Sequence, residues 1–106
     1  ADYLTKEGYE IRERNFRCRL GEVDIIAWKD GYLTFVEVKY RSTAQYGSPQ
    51  EAVDYRKQRR ISDAASFYLY RNRFPAGTPV RFDVAAVSGQ SIEIIENAFP
   101  YCGRFG

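Results

Sequence analysis

The chain has 106 residues, 28% of them charged, and a formal net charge of +2. This length suits one domain with a single modest core, and no apolar run approaches the eighteen residues of a membrane span. Histidine is absent, which excludes nucleases with a histidine base and zinc sites built on imidazole.

The cysteines and the first residues predict a cytoplasmic protein. Cys18 and Cys102 lie far apart and do not indicate a disulfide framework, and no secretory n-region and h-region opens the sequence.

The start of the chain predicts a short helix. Tyr3 and Leu4, followed by Gly8, are typical of the last turns of a helix. We expect the beginning of that helix to lie upstream of residue 1.

Three strands are expected after the helix. The segment 9–17 alternates in polarity, and the segments 22–28 and 33–40 are rich in valine, isoleucine and aromatic residues. Asp30-Gly31 joins the last two segments. This dipeptide predicts a type I′ hairpin, because both central residues of that turn need a positive φ.

The hairpin register brings acidic residues together. Counting outward from the two-residue loop places Asp24 opposite Glu37 and Glu22 opposite Lys39. Facing carboxylates are destabilising without a counter-ion, and oxygen ligands of this kind suit Mg²⁺ or Mn²⁺. Lys39 shares a face with Glu37, where its ammonium could hold a phosphate oxygen or the attacking water. The pattern outlines a metal-dependent nuclease site.

The hairpin is expected to bury apolar residues on both faces. The face assigned to the core carries Val23, Ile25, Ala27, Val36 and Val38. The opposite face carries the acids and Lys39 at one end, and Ile26, Trp28, Leu33 and Phe35 toward the turn. A second apolar layer must cover that end of the opposite face, so we expect the acids at the edge of a cleft.

A second helix is predicted after a polar loop at residues 41–47. Residues 48–51 form a capping box with proline at the first helical position, and the helix is expected to run to about Tyr70. Its apolar stripe comprises Val53, Ile61, Ala64, Ala65, Tyr68 and Leu69, whereas Asp54, Arg59, Asp63 and Arg73 should point elsewhere. Lys57 interrupts this stripe, either as a stem that snorkels along the sheet or as a cation for substrate phosphate.

Two closing strands are expected at residues 80–87 and 91–95, joined across Ser88-Gly89-Gln90. Asp83 interrupts the first of these strands. We interpret Asp83 as a hydrogen-bonded structural acid, because nothing in the local spacing connects it with the first acidic site.

Arginines and lysines flank the acidic motif in the sequence. One cluster is Arg12, Arg14, Arg17 and Arg19, and the other is Arg56, Lys57, Arg59 and Arg60. This distribution fits a phosphate backbone held beside a cation site, although solvated faces of a strand and a helix explain each cluster equally well. The candidate nucleic-acid contacts are Arg17, Arg41, Lys57 and Arg60.

Several blocks, taken together, resemble one family. They are residues 14–17, Gly21-Glu22-Val23-Asp24-Ile25-Ile26-Ala27, Phe35-Val36-Glu37-Val38-Lys39-Tyr40-Arg41, Arg81-Phe82-Asp83-Val84 and Asn97-Ala98-Phe99. In these blocks the chain resembles the YraN family of the PD-(D/E)xK nuclease superfamily, which is related to archaeal Holliday-junction resolvases. The resemblance implies one restriction-endonuclease-like α/β domain over residues 1–106. A mixed central sheet flanked by helices would have the order α-β-β-β-α-β-β.

The same resemblance implies a Mg²⁺- or Mn²⁺-dependent endonuclease that hydrolyses DNA phosphodiester bonds, with branched DNA as a candidate substrate. It makes Asp24, Glu37 and Lys39 the catalytic residues. Asp24, Glu37, the backbone carbonyl of Val38 and Glu22 would be the metal ligands, with Glu22 serving a second metal or pairing with Lys39. The family's first helix usually carries a glutamate before the position of Ala1. Resolvases of this superfamily act as dimers, so a homodimer is a candidate assembly.

Two other interpretations stay open. The chain could be a nucleic-acid-binding module that keeps the fold and does not cut. Alternatively, the carboxylates could be purely structural, satisfied as ion pairs by Arg17, Arg41 or Lys39 without a metal. A melting temperature that does not respond to divalent cations would favour the structural interpretation.

Overall fold

A five-stranded mixed sheet with a helix packed on each face forms this small α/β protein. The structure, a computed structural model, describes residues 2–41 and 53–103. The elements are α1 (Asp2–Lys6), β1 (Glu10–Arg17), β2 (Glu22–Lys29), β3 (Tyr32–Arg41), α2 (Tyr55–Arg71), β4 (Val80–Ser88) and β5 (Ser91–Ile95). The strands lie in the order β1-β2-β3-β4-β5. The predicted α/β class and the order α-β-β-β-α-β-β are confirmed.

The hairpin of β2 and β3 turns at Asp30-Gly31, as predicted. Both residues have positive φ, 53° and 84°, which is the requirement of a type I′ turn. The backbone pairing begins at Lys29 and Tyr32 and keeps the predicted register as far as Ile25 and Val36.

A crossover through α2 makes β3 and β4 parallel, whereas all the other neighbouring strands are antiparallel. A parallel pair needs a long connection, usually helical, because the chain must return to the same end of the sheet. The β3–β4 register sets Phe35 beside Phe82 and Glu37 beside Val84. In the described part of the chain, no helix is long and apolar enough to cross a membrane.

Each face of the sheet carries its own apolar cluster. The α2 face buries Phe16, Val23, Ile26, Leu33, Phe35, Val53, Ile61, Ala64, Ala65, Tyr68, Phe82, Val84 and Phe99. The α1 face buries Leu4, Tyr9, Ile25, Ala27, Val36 and Ala85. The predicted second apolar layer is thus confirmed. Val23 lies on the α2 face and not with Ile25, because the strand alternation breaks there, beside the positive φ of Asn15 on β1.

Helix α2 begins later than the sequence pattern predicts. Its N-cap is Asp54, whose side chain accepts a hydrogen bond from the Lys57 N–H at 2.9 Å. The predicted loop at residues 41–47 and the capping box at 48–51 lie, apart from the backbone of Arg41, outside the described residues. An aspartate at the N-cap satisfies a free N–H of the first turn, which explains the later start. Asp63 is also buried, contrary to the prediction that it points away from the core.

Asp83 is a structural acid, as predicted. Its carboxylate is fully buried and accepts two hydrogen bonds from the Arg81 guanidinium, both at 2.9 Å. The Tyr9 hydroxyl and the Asn97 N–H donate two more, at 2.7 and 2.9 Å. This network joins β4 to the start of β1 and to the segment that follows β5.

Candidate active site

The hairpin strands stop pairing next to the acidic residues. The backbone pairing of β2 with β3 ends at Ile25 and Val36. Just beyond it, the Val38 N–H donates a hydrogen bond to the Asp24 carboxylate, with 2.8 Å between N and Oδ2. The predicted continuation of the ladder to Asp24 opposite Glu37 is therefore wrong, because a side chain binds the β3 backbone where the ladder stops.

The two carboxylates nevertheless meet, and Glu37 is the buried member of the pair. Only 7% of Glu37 is exposed. Burial raises the pKa of Glu37, and the charge of Asp24 and a hydrogen bond between the two side chains raise it further. The positive charges of Lys57 and Lys39 act in the opposite direction, and the resulting pKa is about 7, compared with the ordinary 4.5. Ionising Glu37 is therefore less favourable than ionising an exposed glutamate.

A cation from α2 reaches this acid pair. The Lys57 Nζ lies 3.8 Å from the Glu37 Oε2, and 33% of the Lys57 side chain is exposed. The stem runs along the interior as a snorkelling lysine does, but the ammonium faces a carboxylate. No other ion pair with Asp24 or Glu37 joins the described residues, so Arg17 and Lys39 do not neutralise the acids in the way that the structural interpretation expects.

The first turn of α2 is held at several points, and this fixes the position of Lys57. The Asp54 cap binds the Lys57 N–H, and the Gln58 side chain donates to the Val53 carbonyl at 2.9 Å. Gly21, just before β2, touches the backbone of α2 at Arg60, where an added Cβ would collide with the carbonyl oxygen. Only glycine permits this approach, which brings the helix close to the acidic hairpin.

Lys39 and Glu22 occupy more open positions at the same end of the hairpin. Lys39 is exposed, lies next to Ala86 of β4 in register, and is near enough to lower the pKa of Glu37 slightly. Glu22 is half-buried and pairs with Arg17 of β1 in the backbone register. The predicted pairing of Glu22 with Lys39 is therefore not found in the β2–β3 ladder, which ends before either residue.

The structure describes the remaining candidate nucleic-acid contacts only in part. Arg17 and Arg60 are exposed, and the side chain of Arg41 is outside the described structure. A shallow groove on α2 is lined by Tyr55, Arg56, Arg59, Arg60 and Asp63. The second of the two predicted basic clusters thus shares one surface of α2, except for Lys57, which turns inward.

A cleft of about 460 Å³ opens beside Asp24 on the α1 face of the sheet. Its apolar floor includes Ile25, Val38, Ala85 and Ile92, and its lining also contains Arg14 and Asn15. Asp24 lies at the edge of this cleft, which is on the α1 face, whereas Glu37 is buried on the α2 face. The predicted cleft was on the face that carries Ile26 and Phe35, so its predicted position is wrong.

The donor set fits a hard divalent cation. Within residues 2–41 and 53–103, no group of three or more histidine, cysteine, aspartate or glutamate side chains is placed to hold a metal ion. Mg²⁺ typically uses one or two protein carboxylates and keeps several waters, so two suffice. The raised pKa of Glu37 and its hydrogen bond to Asp24 show two carboxylates placed together at the cost of mutual repulsion, which a cation would relieve.

Comparison with known proteins places the chain in a family. Residues 1–87 match the profile described as uncharacterised protein family UPF0102. The chain belongs to this family. A UPF0102 protein of Lachnoclostridium phytofermentans is 52% identical, over 97% of this chain and 87% of the relative. UPF0102 proteins of Clostridium botulinum strain 657 and of Persephonella marina are 46% and 45% identical, over 93% of this chain and 85% and 84% of the relatives.

Three features of this UPF0102 site are missing from the sequence interpretation. These are the Asp54 cap, the bond from the Val38 N–H to Asp24, and the contact of Gly21 with α2. The signal for the first was present, since an aspartate three residues before Lys57 suits an N-cap. The other two join residues distant in the chain, and no local pattern indicates them.

Proposed function

We propose that the chain is a Mg²⁺- or Mn²⁺-dependent endonuclease that hydrolyses DNA phosphodiester bonds, as its resemblance to the YraN family of the PD-(D/E)xK superfamily implies. The observation that carries this proposal is the acid pair itself. Asp24 and Glu37 lie together where the hairpin strands stop pairing, with Glu37 at a pKa of about 7 and two lysines close enough to lower it. Perturbed acids of this kind cluster at functional sites.

Each residue has a defined role in the proposed reaction. Asp24 and Glu37 would hold the metal ion, with the Val38 carbonyl and Glu22 as further candidate ligands. The bound metal would stabilise negative charge on the phosphate and lower the pKa of a water. The Val38 N–H keeps Asp24 oriented through its 2.8 Å hydrogen bond. Lys39, exposed beside the pair, can bind a phosphate oxygen and orient the attacking water.

The basic groove on α2 is a further argument for a polyanionic substrate. Arg56, Arg59 and Arg60 line one groove and form no ion pair with any described residue. Arginines without carboxylate partners are available to phosphate oxygens, and Tyr55, 62% exposed in the same groove, can stack on a base. Branched DNA, which the family resemblance implies, is the proposed substrate, and a homodimer is the proposed assembly for cutting two strands.

The test is cleavage of labelled four-way junction, flap, duplex and single-stranded DNA with Mg²⁺ or Mn²⁺, with EDTA as the metal-free control. We expect metal-dependent cutting that is lost in Asp24→Asn, Glu37→Gln and Lys39→Ala, with folded structure retained by circular dichroism. Glu93→Gln, an exposed acid on β5, serves as the matched control and should cut normally. Cutting that persists in Glu37→Gln would contradict the proposal.

The second candidate function is a nucleic-acid-binding module that does not cut. The groove on α2 favours it, because its arginines can hold a phosphate backbone without help from the carboxylates. In that case the same DNAs would bind at low salt and none would be cut. Arg59→Ala would weaken this binding, and Glu37→Gln would leave it unchanged or strengthen it by removing a negative charge.

A further inference from the structure

The start of α2 carries positive charge where helices normally favour negative charge. Arg56, Lys57, Arg59 and Arg60 lie in its first two turns, and the first turn contains no acid. The partial positive charge of a helix N-terminus makes cations unfavourable there. Water screens the exposed Arg56 and Arg60. Lys57 is turned inward and less exposed, so its charge needs a partner inside the protein.

The partner of the Lys57 ammonium is the Asp24–Glu37 pair, but the ammonium is too far from Glu37 to form a hydrogen bond with it. The Lys57 Nζ is 3.8 Å from Glu37 Oε2, longer than a hydrogen-bonded ion pair. Among the described residues outside the pair, the only other donor is the Val38 N–H, which binds Asp24, and the two carboxyl groups share a hydrogen bond with each other. From the rest of the described structure, the two carboxylates thus receive one N–H hydrogen bond and one ammonium at 3.8 Å.

A divalent cation held by Asp24 and Glu37 would carry two charges into the region that the Lys57 ammonium occupies. At such short separations, like charges repel by several kcal/mol even at an effective dielectric constant of about 20. The four-carbon stem of a lysine is flexible, so the ammonium can move away without any change in the backbone. The helix itself is held by its Asp54 cap and by the contact of Gly21 with Arg60.

From this geometry we propose that Lys57 is the resident counter-ion of the Asp24–Glu37 pair, that it competes with a divalent cation for Glu37, and that the released ammonium then binds substrate phosphate. The inference rests on the proposed function, which supplies the cation. It makes Lys57 a positioning residue that keeps the two carboxylates together in the metal-free protein. Lys39, already exposed to solvent, does not need to be displaced.

The experiment is a titration with Mn²⁺, followed by calorimetry and by electron paramagnetic resonance, on wild-type protein and on Lys57→Met. Methionine keeps an apolar stem and removes the charge, so packing is largely retained. We expect Mn²⁺ to bind about tenfold more tightly to Lys57→Met, because a competing positive charge is gone. Lys57→Arg, which keeps the charge, should bind Mn²⁺ within a few-fold of wild type.

Arg71→Met is the matched control for net charge. Arg71 is exposed in the last turn of the same helix, roughly 21 Å along the axis from Lys57 at 1.5 Å per residue. That distance exceeds the Debye length at physiological salt, so Arg71→Met should leave the Mn²⁺ affinity unchanged. A second measurement, on the metal-free proteins, should show a lower melting temperature for Lys57→Met and a larger rise on addition of Mn²⁺ than in wild type.

The outcomes separate this inference from the proposed nuclease. Equal Mn²⁺ affinity in wild type and Lys57→Met would overturn the role of Lys57 while leaving the metal site intact. Tighter binding in Lys57→Met without any cleavage of DNA by wild type would support the inference and count against the nuclease. Failure of every variant to bind Mn²⁺ would overturn both proposals.

Discussion

Two buried acidic centres on the described sheet differ in how well they are satisfied by hydrogen-bond donors. The Asp83 carboxylate accepts four hydrogen bonds of 2.7 to 2.9 Å from Arg81, Tyr9 and Asn97. The acid pair formed by Asp24 and Glu37 has one backbone N–H and one lysine at 3.8 Å. Both centres lie on the central strands of one sheet.

The difference distinguishes a fully hydrogen-bonded structural acid from an acid pair that lacks donors. A buried carboxylate with a full set of donors is fully hydrogen-bonded and holds its surroundings together. A carboxylate pair with too few donors has a raised pKa, about 7 at Glu37, and destabilises the fold unless something else binds. Of these two centres, only the acid pair carries that cost, and this is where we place the proposed activity.

The substitution that should reduce stability most is at Asp83, the well-satisfied centre. Asp83→Asn should lower the free energy of unfolding by about 3 to 4 kcal/mol, because it leaves the buried Arg81 guanidinium without its ion pair. Urea denaturation measures this loss. Asp30→Asn, at an exposed turn position, is the control and should change stability by less than about 1 kcal/mol. A similarly small loss in Asp83→Asn would mean that the two centres do not differ as we describe.

Removing the charge of the acid pair should stabilise the fold, whereas removing that of Asp83 destabilises it. The size of this stabilisation should depend on pH. Glu37 binds a proton more tightly in the folded protein than in the unfolded chain, so folding stability falls as pH rises from about 4.5 to about 7 and is then constant. The interval corresponds to about 3 kcal/mol. Glu37→Gln should remove this decline in EDTA, so that its stability relative to wild type increases with pH.

Chemical denaturation between pH 4.5 and 8 tests this prediction for wild type, Glu37→Gln and the control Glu93→Gln. The control should follow wild type, since Glu93 is exposed. Mg²⁺ at millimolar concentration should flatten the wild-type curve by supplying the missing counter-ion. Parallel curves for wild type and Glu37→Gln would show that Glu37 is not the strained acid.

A substitution at Gly21 should disturb the Asp24–Glu37 pair and leave the Asp83 centre unchanged. Gly21→Ala places a Cβ against the Arg60 carbonyl and must push α2 away from the hairpin. We expect a loss of about 2 kcal/mol of stability, typical of overpacking, and tighter Mn²⁺ binding because the competing Lys57 ammonium moves away from Glu37. Thermal unfolding and the Mn²⁺ titration measure these effects. The absorbance titration of Tyr9, which belongs to the Asp83 centre, should stay the same.

The smallest predicted effect concerns one hydrogen bond of the satisfied centre. Tyr9→Phe removes the hydroxyl that donates to Asp83 at 2.7 Å and should cost about 1 to 2 kcal/mol. Burial and the neighbouring Asp83 raise the pKa of Tyr9 well above its usual value, so Tyr9 should not ionise in the pH range usual for tyrosine in an alkaline titration. Tyr55→Phe, at an exposed position, should leave stability unchanged.

Local chemistry explains the parts of the fold that the sequence predicts correctly. The Asp30-Gly31 turn sets the hairpin register over the five residue pairs nearest to it, because both residues adopt positive φ. Farther from the turn the prediction fails, since Asp24 binds the β3 backbone through its side chain. The start of α2 was predicted from a capping box, whereas Asp54 caps the described helix.

The amino-acid sequence was enough to predict the elements, their order, the two acids and Lys39 of the candidate site, and the structural character of Asp83. These follow from turn chemistry, strand alternation and residue type, which act over a few residues. The folded structure was needed to show that Lys57 faces Glu37, that Gly21 lies against Arg60, and that Tyr9 donates to Asp83. Such contacts join positions twenty or more residues apart, and they depend on how the elements pack against each other, which no local pattern encodes.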